Sequence, residues 1–159
     1  HGMYALLSHP EQFAALRADP EALMGTAVDE ILRWATPVLH FRRTATADTR
    51  IGDRDIAEGD KVVIWHVSAN RDERVFDDPF SFDVTRSPNE HIAFGGGGAH
   101  YCLGANLARM ELELIFAELI ERIDDMALAG EPEVLRSNFI GGIKHLPVTW
   151  TPGKRKAAA

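Results

Sequence analysis

The sequence predicts a mainly helical chain with a small antiparallel sheet, an α+β arrangement in which residues 1–159 form one domain. Apolar residues recur at intervals of three and four in residues 20–35 and again after residue 102, as they do on amphipathic helices. From residue 38 to residue 67 the period shortens towards two, and β-branched and aromatic side chains become common. With 45% hydrophobic residues, a chain of this length can bury a core of its own.

Helices are predicted for the first part of the chain. The first seven residues look like the end of a helical pattern that has no capping residue at its start. Ser8 and Glu11 have the spacing of a capping box, which predicts a short helix ending near Arg17. Asp19-Pro20 then begins a helix of about sixteen residues. Pro37 ends this helix, because proline lacks an N–H group.

Short antiparallel strands are expected in residues 38–41, 44–46 and 61–65, where the alternation is clearest. Gly52-Asp53 and Glu58-Gly59-Asp60 mark the turns between them. After Asn70 the sequence indicates an irregular meander rather than a linker. Beyond Gly130 a few more short strands are expected, and Phe139-Ile140-Gly141-Gly142 would form their hairpin tip.

A long helix is predicted directly after Cys102. Its acidic residues fall largely outside one apolar stripe, which we expect to be its buried face. The residues of this stripe are Leu103, Leu107, Met110, Leu114, Ala117, Ile120 and Ile123. A buried helix of this kind would hold the cysteine before it rigidly.

Cys102 is the only cysteine of the chain, and it follows a loop that contains four consecutive glycines. A sulfur at the start of a helix lies near the positive end of the helix dipole and near unpaired N–H groups, which favour the thiolate. Glycines without Cβ atoms let the backbone pass beneath a flat, bulky group. A single thiolate in such a loop suits the iron of a haem.

Four segments of the sequence carry a resemblance to a known family. The first is the loop with Phe94-Gly95-Gly96, His100, Cys102 and Gly104. The others are Glu30-Ile31-Leu32-Arg33, Arg43-Thr44-Ala45 and Ala69-Asn70-Arg71-Asp72-Glu73. The loop resembles the haem-binding signature of the cytochrome P-450 family, and the other three segments appear in that family's order. The likeness covers residues 1–153 and is greatest to soluble bacterial members from actinobacteria that oxidise steroids and branched lipids.

The sequence departs from the family pattern in two ways. Phe94 lies eight positions before Cys102, one more than is commonest, so one glycine looks inserted. The family's enzymes are also considerably longer, and no helix here resembles their oxygen-activating helix. We therefore expect the chain to be the C-terminal half of such an enzyme, truncated before residue 1 and inactive alone. The alternative is that His1-Gly2 is a cloning remnant before an initiating Met3.

The resemblance implies haem b as the cofactor and Cys102 as both its metal ligand and the catalytic residue. Arg43 would bind a haem propionate with its guanidinium, and His100 would donate to a propionate as well. Phe94 would pack against the sulfur side of the macrocycle. Gly95, Gly96 and Gly104 would shape the loop around the cofactor.

The resemblance also implies two sets of residues outside the loop. Glu30, Arg33 and Arg86 would form a buried triad that fixes the position of the loop more than it adds stability. Val38 and Leu39 would reach over the distal face of the haem, although plain strand core is an equal alternative. Phe139 and Ile140 would line the substrate pocket.

The implied function is that of a monooxygenase, which hydroxylates a C–H bond of a small hydrophobic substrate, by analogy a steroid or lipid, using O₂ and two electrons. Ferredoxin and ferredoxin reductase would supply the electrons, with Arg109 as a candidate contact. A hypothesis from another class is a catalytically inactive truncated remnant. Such a remnant would act as a non-enzymatic binding module or associate with itself through apolar surfaces.

Composition argues against several other classes of protein. A net charge of −7 disfavours nucleic acid as a partner, and the basic run Lys154-Arg155-Lys156 is short. One cysteine permits no internal disulfide, which suits a reducing cytoplasm, and no apolar run is long enough to span a membrane. A zinc site would need three more ligands, and a phosphate-binding loop would need a Lys-Ser/Thr pair. A cysteine nucleophile with a histidine base stays open, although His40, His66, His91 and His145 carry no motif and are expected to be satisfied or surface residues.

Overall fold

The computed structural model describes residues 1–152, and the basic run Lys154-Arg155-Lys156 lies outside the described residues. Five helices lie within this part of the chain: α1 (Gly2–Ser8), α2 (Pro10–Ala18), α3 (Pro20–Ala35), α4 (His66–Ala69) and α5 (Ala105–Arg122). The strands are β1 (His40–Thr44), β2 (Thr49–Ile51), β3 (Arg54–Ile56), β4 (Lys61–Trp65), β5 (Ile123–Leu128), β6 (Glu133–Val134), β7 (Ile143–His145) and β8 (Val148–Pro152). The predicted mixture of helices and small antiparallel sheets is confirmed.

Helix α3 has the predicted length and the predicted start. Asp19 caps it, since its Oδ1 accepts a hydrogen bond from the N–H of Ala22 at 3.1 Å, and Pro20 occupies the first turn. Thr36 ends the helix in the left-handed region, with φ at 39°. Its Oγ donates to the carbonyl of Arg33 at 2.7 Å, a bond that stabilises this uncommon conformation.

The predicted capping box at Ser8 is wrong. Ser8 is the last residue of α1, and α2 begins at Pro10 after an extended His9 with φ at −129°. The residue before a proline is pushed out of the helical region, while proline itself is favoured in the first turn. Pro10 therefore sets this boundary, and Glu11 merely lies in the first turn of α2.

Within residues 1–152, the strands form four antiparallel pairs. β1 pairs with β4, β2 with β3, β5 with β8, and β6 with β7. Gly52 and Gly59, with φ at 59° and 87°, form the two turns that the sequence indicated. The loop between β6 and β7 contains the expected tip, and Ile140 in it forms an isolated antiparallel bridge with Val38.

The main core lies where α1, α2, α3 and α5 meet. Leu6, Leu16, Ile31 and Phe116 are all at most 5% exposed there. Gly2 is required at the contact with α5, because a Cβ at that position would lie 2.6 Å from Cζ of Phe116. Among the described residues, no helix is both long enough and apolar enough to cross a membrane.

The predicted buried stripe of α5 is wrong except near its end, where Ile120 packs against the core. Leu103 is fully exposed, and Leu107, Met110 and Leu114 are each more than half exposed. The buried side of α5 instead carries Ala105 and Phe116 and packs against α3. The helix is apolar on two sides, and periodicity alone does not say which side meets a neighbour. The helix also begins at Ala105, so Cys102 lies in the turn before it.

Candidate functional site

A cavity of about 670 Å³ lies between the β1–β4 hairpin and the glycine-rich loop. Its lining combines apolar side chains, two histidines, one arginine, bare glycine backbone and the cysteine. The residues on the hairpin side are Val38, Phe41, Arg43, Ile64 and His66, and those on the loop side are Ile92, Ala93, Phe94, Gly95, Gly96, Gly97, Ala99, His100 and Cys102. The residues predicted to hold a cofactor are thus brought to one cavity, apart from Gly104.

Strand alternation builds the hairpin wall. Phe41 and Arg43 lie two positions apart on β1, and Phe41 pairs with Ile64 of β4, so these side chains share one face. The Cζ of Arg43 lies 5.6 Å from the centre of the Phe41 ring. Arg43 donates to the carbonyl of Arg42 at 3.1 Å, and within residues 1–152 no acidic side chain pairs with it. This guanidinium therefore keeps donors available to an anion in the cavity.

The glycine-rich loop closes on itself through backbone hydrogen bonds. The N–H of Cys102 donates to the carbonyl of Phe94 at 3.0 Å, and that of Gly95 donates to Ile92 at 2.9 Å. Gly95, Gly97 and Gly98 have φ at 95°, 99° and 79°, which side chains rarely tolerate. The sequence around Cys102 therefore needs its glycines for the path of the backbone.

The sulfur of Cys102 is exposed and unpaired with any other cysteine. Gly104 lies beside it, since a Cβ at Gly104 would be 3.9 Å from Sγ. The carbonyl of Cys102 accepts from the N–H of Ala105 at 3.2 Å, which joins the cysteine turn to the start of α5. In the described part of the chain, no group of three or more His, Cys, Asp and Glu could hold a metal ion.

These features fit a haem. The exposed sulfur of Cys102 and bare glycine backbone lie on one wall, and the opposite wall offers the apolar side chains of Val38, Phe41 and Ile64. Arg43 and His100 supply polar partners for its carboxylates. Phe94 lines the same cavity, and its packing against the macrocycle stays a prediction.

Glu30, Arg33 and Arg86 lie together next to the loop rather than in the cavity. The Glu30 and Arg33 side chains are fully buried and form a two-pronged ion pair, with Nε–Oε2 and Nη2–Oε1 both at 2.7 Å. Arg86 Nε donates to Oε2 of Glu30 at 3.2 Å. The remaining donors of Arg33 reach the carbonyls of Asn70, Pro79 and Ser81, so all its N–H groups are satisfied.

Two asparagines that were given no role by the sequence complete this network. Asn89 donates to Oε2 of Glu30 at 3.0 Å. Asn70 is fully buried, donates through Nδ2 to Thr36 Oγ at 2.9 Å and accepts at Oδ1 from the N–H of Ile92 at 2.8 Å. Asn70 thereby connects the end of α3 to the residue that begins the loop wall. The position of Asn70 in the Ala69–Glu73 motif was the one sequence feature that could have indicated this role.

A second cluster on α3 also supports the loop. Asp29 Oδ1 accepts from Arg109 Nε at 2.8 Å and lies 3.2 Å from Nε2 of His91, whose Nδ1 accepts from the N–H of Ala93. The hydrogen bond from His91, together with Arg109, keeps the pKa of Asp29 below its ordinary value even though partial burial raises it. The Cζ of Arg109 lies 4.8 Å from the centre of the Phe94 ring. Arg109 thus has intramolecular partners, and its role as a contact for an electron donor stays a prediction.

The four residues expected to contact substrate are neighbours but do not all line the cavity. Val38 lines it and forms the bridge to Ile140. The N–H of Leu39 donates to the carbonyl of Phe139 at 2.9 Å, while its side chain lies against Gly141, outside the lining residues. The Phe139 ring is 5.6 Å from that of Phe41, so the β6–β7 loop borders the hairpin wall.

The expectation for the remaining histidines is right for two and wrong for two. His91 is satisfied as described above, and His145 is an exposed residue 3.8 Å from Glu133. His40 and His66 are different, because the Nδ1 atom of each is buried without a hydrogen-bond partner. Burial, followed by the positive charges of Arg43 and His40, lowers the pKa of His66.

The comparisons with known proteins agree with this site. Residues 2–124 match the sequence profile of the cytochrome P-450 family. The chain is 52% identical over 151 residues to a methyl-branched lipid omega-hydroxylase of Mycobacterium tuberculosis, covering 95% of this chain and 35% of that protein. It is 48% identical over 159 residues to a steroid C26-monooxygenase of Mycolicibacterium smegmatis, covering 99% of this chain and 36% of that protein.

A solved structure shows the same fold. A cytochrome P-450 of Mycobacterium marinum, crystallised with pseudoionone, superposes with a TM-score of 0.90 at 48% identity and covers 94% of this chain and 36% of that one. The chain therefore spans about 35% of the length of the curated relatives it matches. Members of the family use haem b. The profile match, the identities and the shared fold together show that this chain belongs to the cytochrome P-450 family.

Proposed function

We propose that the protein acts as a haem-thiolate monooxygenase and that residues 1–159 supply its haem-binding part. The observation that carries this proposal is the cavity in which Cys102, Arg43 and His100 meet an apolar wall. Family membership supports the reaction class, namely hydroxylation of a C–H bond with O₂ and two electrons. Ferredoxin and ferredoxin reductase are proposed as the source of electrons, in a reducing cytoplasm.

Each residue of the cavity has a proposed task. Cys102 would ligate the haem iron. Once haem is bound, its thiolate ligand favours cleavage of the O–O bond of the oxidant. Arg43 and His100 hold the carboxylates of the cofactor. Val38, Phe41 and Ile64 exclude water from its apolar surface. The residues around Glu30 and Asp29 act through the loop and keep its position fixed.

The proposed substrate is a small hydrophobic molecule of the branched-lipid or steroid type. Support comes from relatives at 52% and 48% identity that are named for a methyl-branched lipid and for a steroid. The apolar side chains of Val38, Phe139 and Ile140 lie next to one another at the cavity edge, where they would contact such a molecule.

Replacement of Cys102 by alanine tests the proposal. The haem-loaded wild-type protein should show, after reduction and addition of carbon monoxide, the absorption typical of thiolate-ligated haem. Cys102→Ala should abolish this absorption, because the chain has no other sulfur that can become a thiolate. The control is Ser68→Ala in α4, outside the residues that line the cavity, which should keep the spectrum.

Two results would contradict the proposed function. One is a thiolate spectrum that persists in Cys102→Ala. The other is wild-type protein that binds no haem and instead purifies as a colourless monomer or oligomer, as expected for the non-enzymatic module.

A further inference from the structure

His66 is an unusual residue in the wall of the cavity. It follows β4 directly and begins α4, and its side chain lines the cavity although the residue is only 4% exposed. Its Nδ1 is buried and has no hydrogen-bond partner. Buried polar side-chain atoms are nearly always hydrogen-bonded in folded proteins. This Nδ1 is closed to solvent, so the ring meets the cavity with its other edge, where Nε2 has no hydrogen-bond partner in the described part of the chain. An unpartnered polar edge on a ligand cavity points to a partner that the ligand provides.

The surroundings of His66 indicate the charge of that ligand group. Arg43 is on the same wall, and its charge acts on the His66 imidazole. Within residues 1–152, no acidic side chain lies within 4.0 Å of Arg43 or His66. One wall thus offers a guanidinium and an imidazole without a protein anion. A carboxylate accepts hydrogen bonds from both kinds of group.

Packing keeps the imidazole where it is. The His66 ring lies 5.7 Å from the ring of Phe41 in an edge-on arrangement, and the backbone carbonyl of His66 accepts from the N–H of Asn70 at 2.9 Å. Burial and the adjacent positive charges favour the neutral ring. A neutral imidazole carries one N–H group and can donate one hydrogen bond.

We propose that His66 is a haem-positioning residue that donates a hydrogen bond to a carboxylate of the cofactor, beside Arg43. This inference depends on the proposed function, because it needs haem in the cavity. It adds a second donor on the hairpin wall to the arginine expected there.

The test measures haem retention in the full chain loaded with haem. Transfer of haem to an excess of apomyoglobin gives its dissociation rate. His66→Phe keeps a ring of similar size but cannot donate, so we expect about 3- to 10-fold faster dissociation, the effect of one lost hydrogen bond. His66→Gln retains an N–H donor and should restore much of the wild-type rate.

Haem dimethyl ester separates a carboxylate contact from a packing effect, because its side groups are no longer anionic acceptors. With this cofactor, the rate difference between His66→Phe and the wild-type protein should be clearly smaller than with ordinary haem, because an uncharged ester oxygen accepts a weaker hydrogen bond than a carboxylate does. The matched control is His40→Phe, since His40 also has a buried unpartnered Nδ1 but does not line the cavity. This control should leave the dissociation rate of ordinary haem unchanged.

The outcomes distinguish the two proposals. If wild-type protein shows a Cys102-dependent thiolate spectrum but His66→Phe releases haem at the wild-type rate, the role of His66 is refuted and the proposed function stands. Equal acceleration with ordinary haem and with the ester would also refute it, since only packing would be lost. If no Cys102-dependent haem binding occurs, the proposed function fails and this inference fails with it.

Discussion

Single residues of α3 show how neighbouring carboxylates come to serve different clusters. Successive residues on a helix point about 100° apart, so Asp29 and Glu30 leave α3 in different directions. Asp29 meets His91 and Arg109, whereas Glu30 meets Arg33 and Arg86. Both clusters contact residues just before the glycine-rich loop, Asp29 through His91 and Glu30 through Asn89.

Asp29 is expected to make the stability of the fold sensitive to acid. Because its pKa in the folded protein lies below the ordinary value of 3.8, its ionised form stabilises the fold at higher pH. This contribution to stability is lost as the pH falls from 3.8 through the lower pKa of Asp29 in the folded protein. Asp29→Asn should therefore be less stable than wild type at neutral pH, and the difference should shrink towards about pH 3. Urea unfolding followed by circular dichroism measures the unfolding free energy of Asp29→Asn and of the wild type at each pH.

Asp55 provides the control for this prediction. It forms an exposed pair with Arg50 at 3.7 Å, so Asp55→Asn should change the unfolding free energy by less than about 1 kcal/mol at neutral pH. A difference between Asp29→Asn and wild type that stays constant from neutral pH to strong acid would contradict the assigned role of Asp29.

At the scale of elements, Asn70 adds a connection between the end of α3 and the loop before α5. Its side chain spans from Thr36, at the end of α3, to the backbone of Ile92. Arg33 binds its backbone carbonyl as well. A motif next to the small sheet thus connects the helical part to the cavity wall.

Asn70→Ala should destabilise this connection in particular. It leaves the N–H of Ile92 without its acceptor, so we expect a loss of about 2–4 kcal/mol in unfolding free energy and faster amide exchange at Ile92. Thr36→Ala is the matched variant. It removes the hydrogen bond between Asn70 and the Thr36 hydroxyl and keeps the hydrogen bond between Asn70 and the N–H of Ile92. Equal exchange rates at Ile92 in the two variants would show that Asn70 does not hold the loop.

Helix α5 illustrates a limit of prediction at this scale. Its sequence contains two apolar sides, and the more regular one, with Leu107 and Leu114, is exposed in the structure. The buried side includes Ala105 and Phe116, and the close approach of Gly2 to Phe116 is part of the contact. Which side is buried depends on the partner surface, which is formed by residues distant in sequence.

For the molecule as a whole, one carboxylate joins helix α3 to the stretch of residues 83–89. Glu30 accepts hydrogen bonds from Arg33 on its own helix, from the N–H of Asp83, from Arg86 and from Asn89. All of these donors converge on a fully buried charge. Such a site is costly to desolvate, and its removal leaves the buried guanidinium of Arg33 uncompensated.

Glu30→Gln should therefore be strongly destabilising, by about 3–5 kcal/mol in unfolding free energy. The control is Glu118→Gln, which removes the partner of Arg122 in an exposed i, i+4 pair and should cost less than about 1 kcal/mol. Urea denaturation of the two variants and the wild type gives the comparison. Similar losses in both variants would mean that the Glu30 network contributes no more than a surface ion pair.

Much of the site was predictable because its residues belong to short motifs. The spacing of Glu30 and Arg33 and the glycines before Cys102 are local features, and each follows from helix geometry or from backbone conformations that only glycine adopts readily. Asn70 and His66 were not predictable in their roles. Both depend on atoms contributed by segments far along the chain.

By itself, the sequence determined the mixture of helices and antiparallel strands, the length of α3 and the family, since these depend on periodicity, on turn residues and on motifs within a few positions. Only the tertiary structure decided which side of α5 is buried, where Arg109 binds, and that His66 lines the cavity with an unpartnered nitrogen. The reason is physical: burial and hydrogen-bond satisfaction are properties of surfaces that meet after folding, and no local pattern records which surfaces will meet.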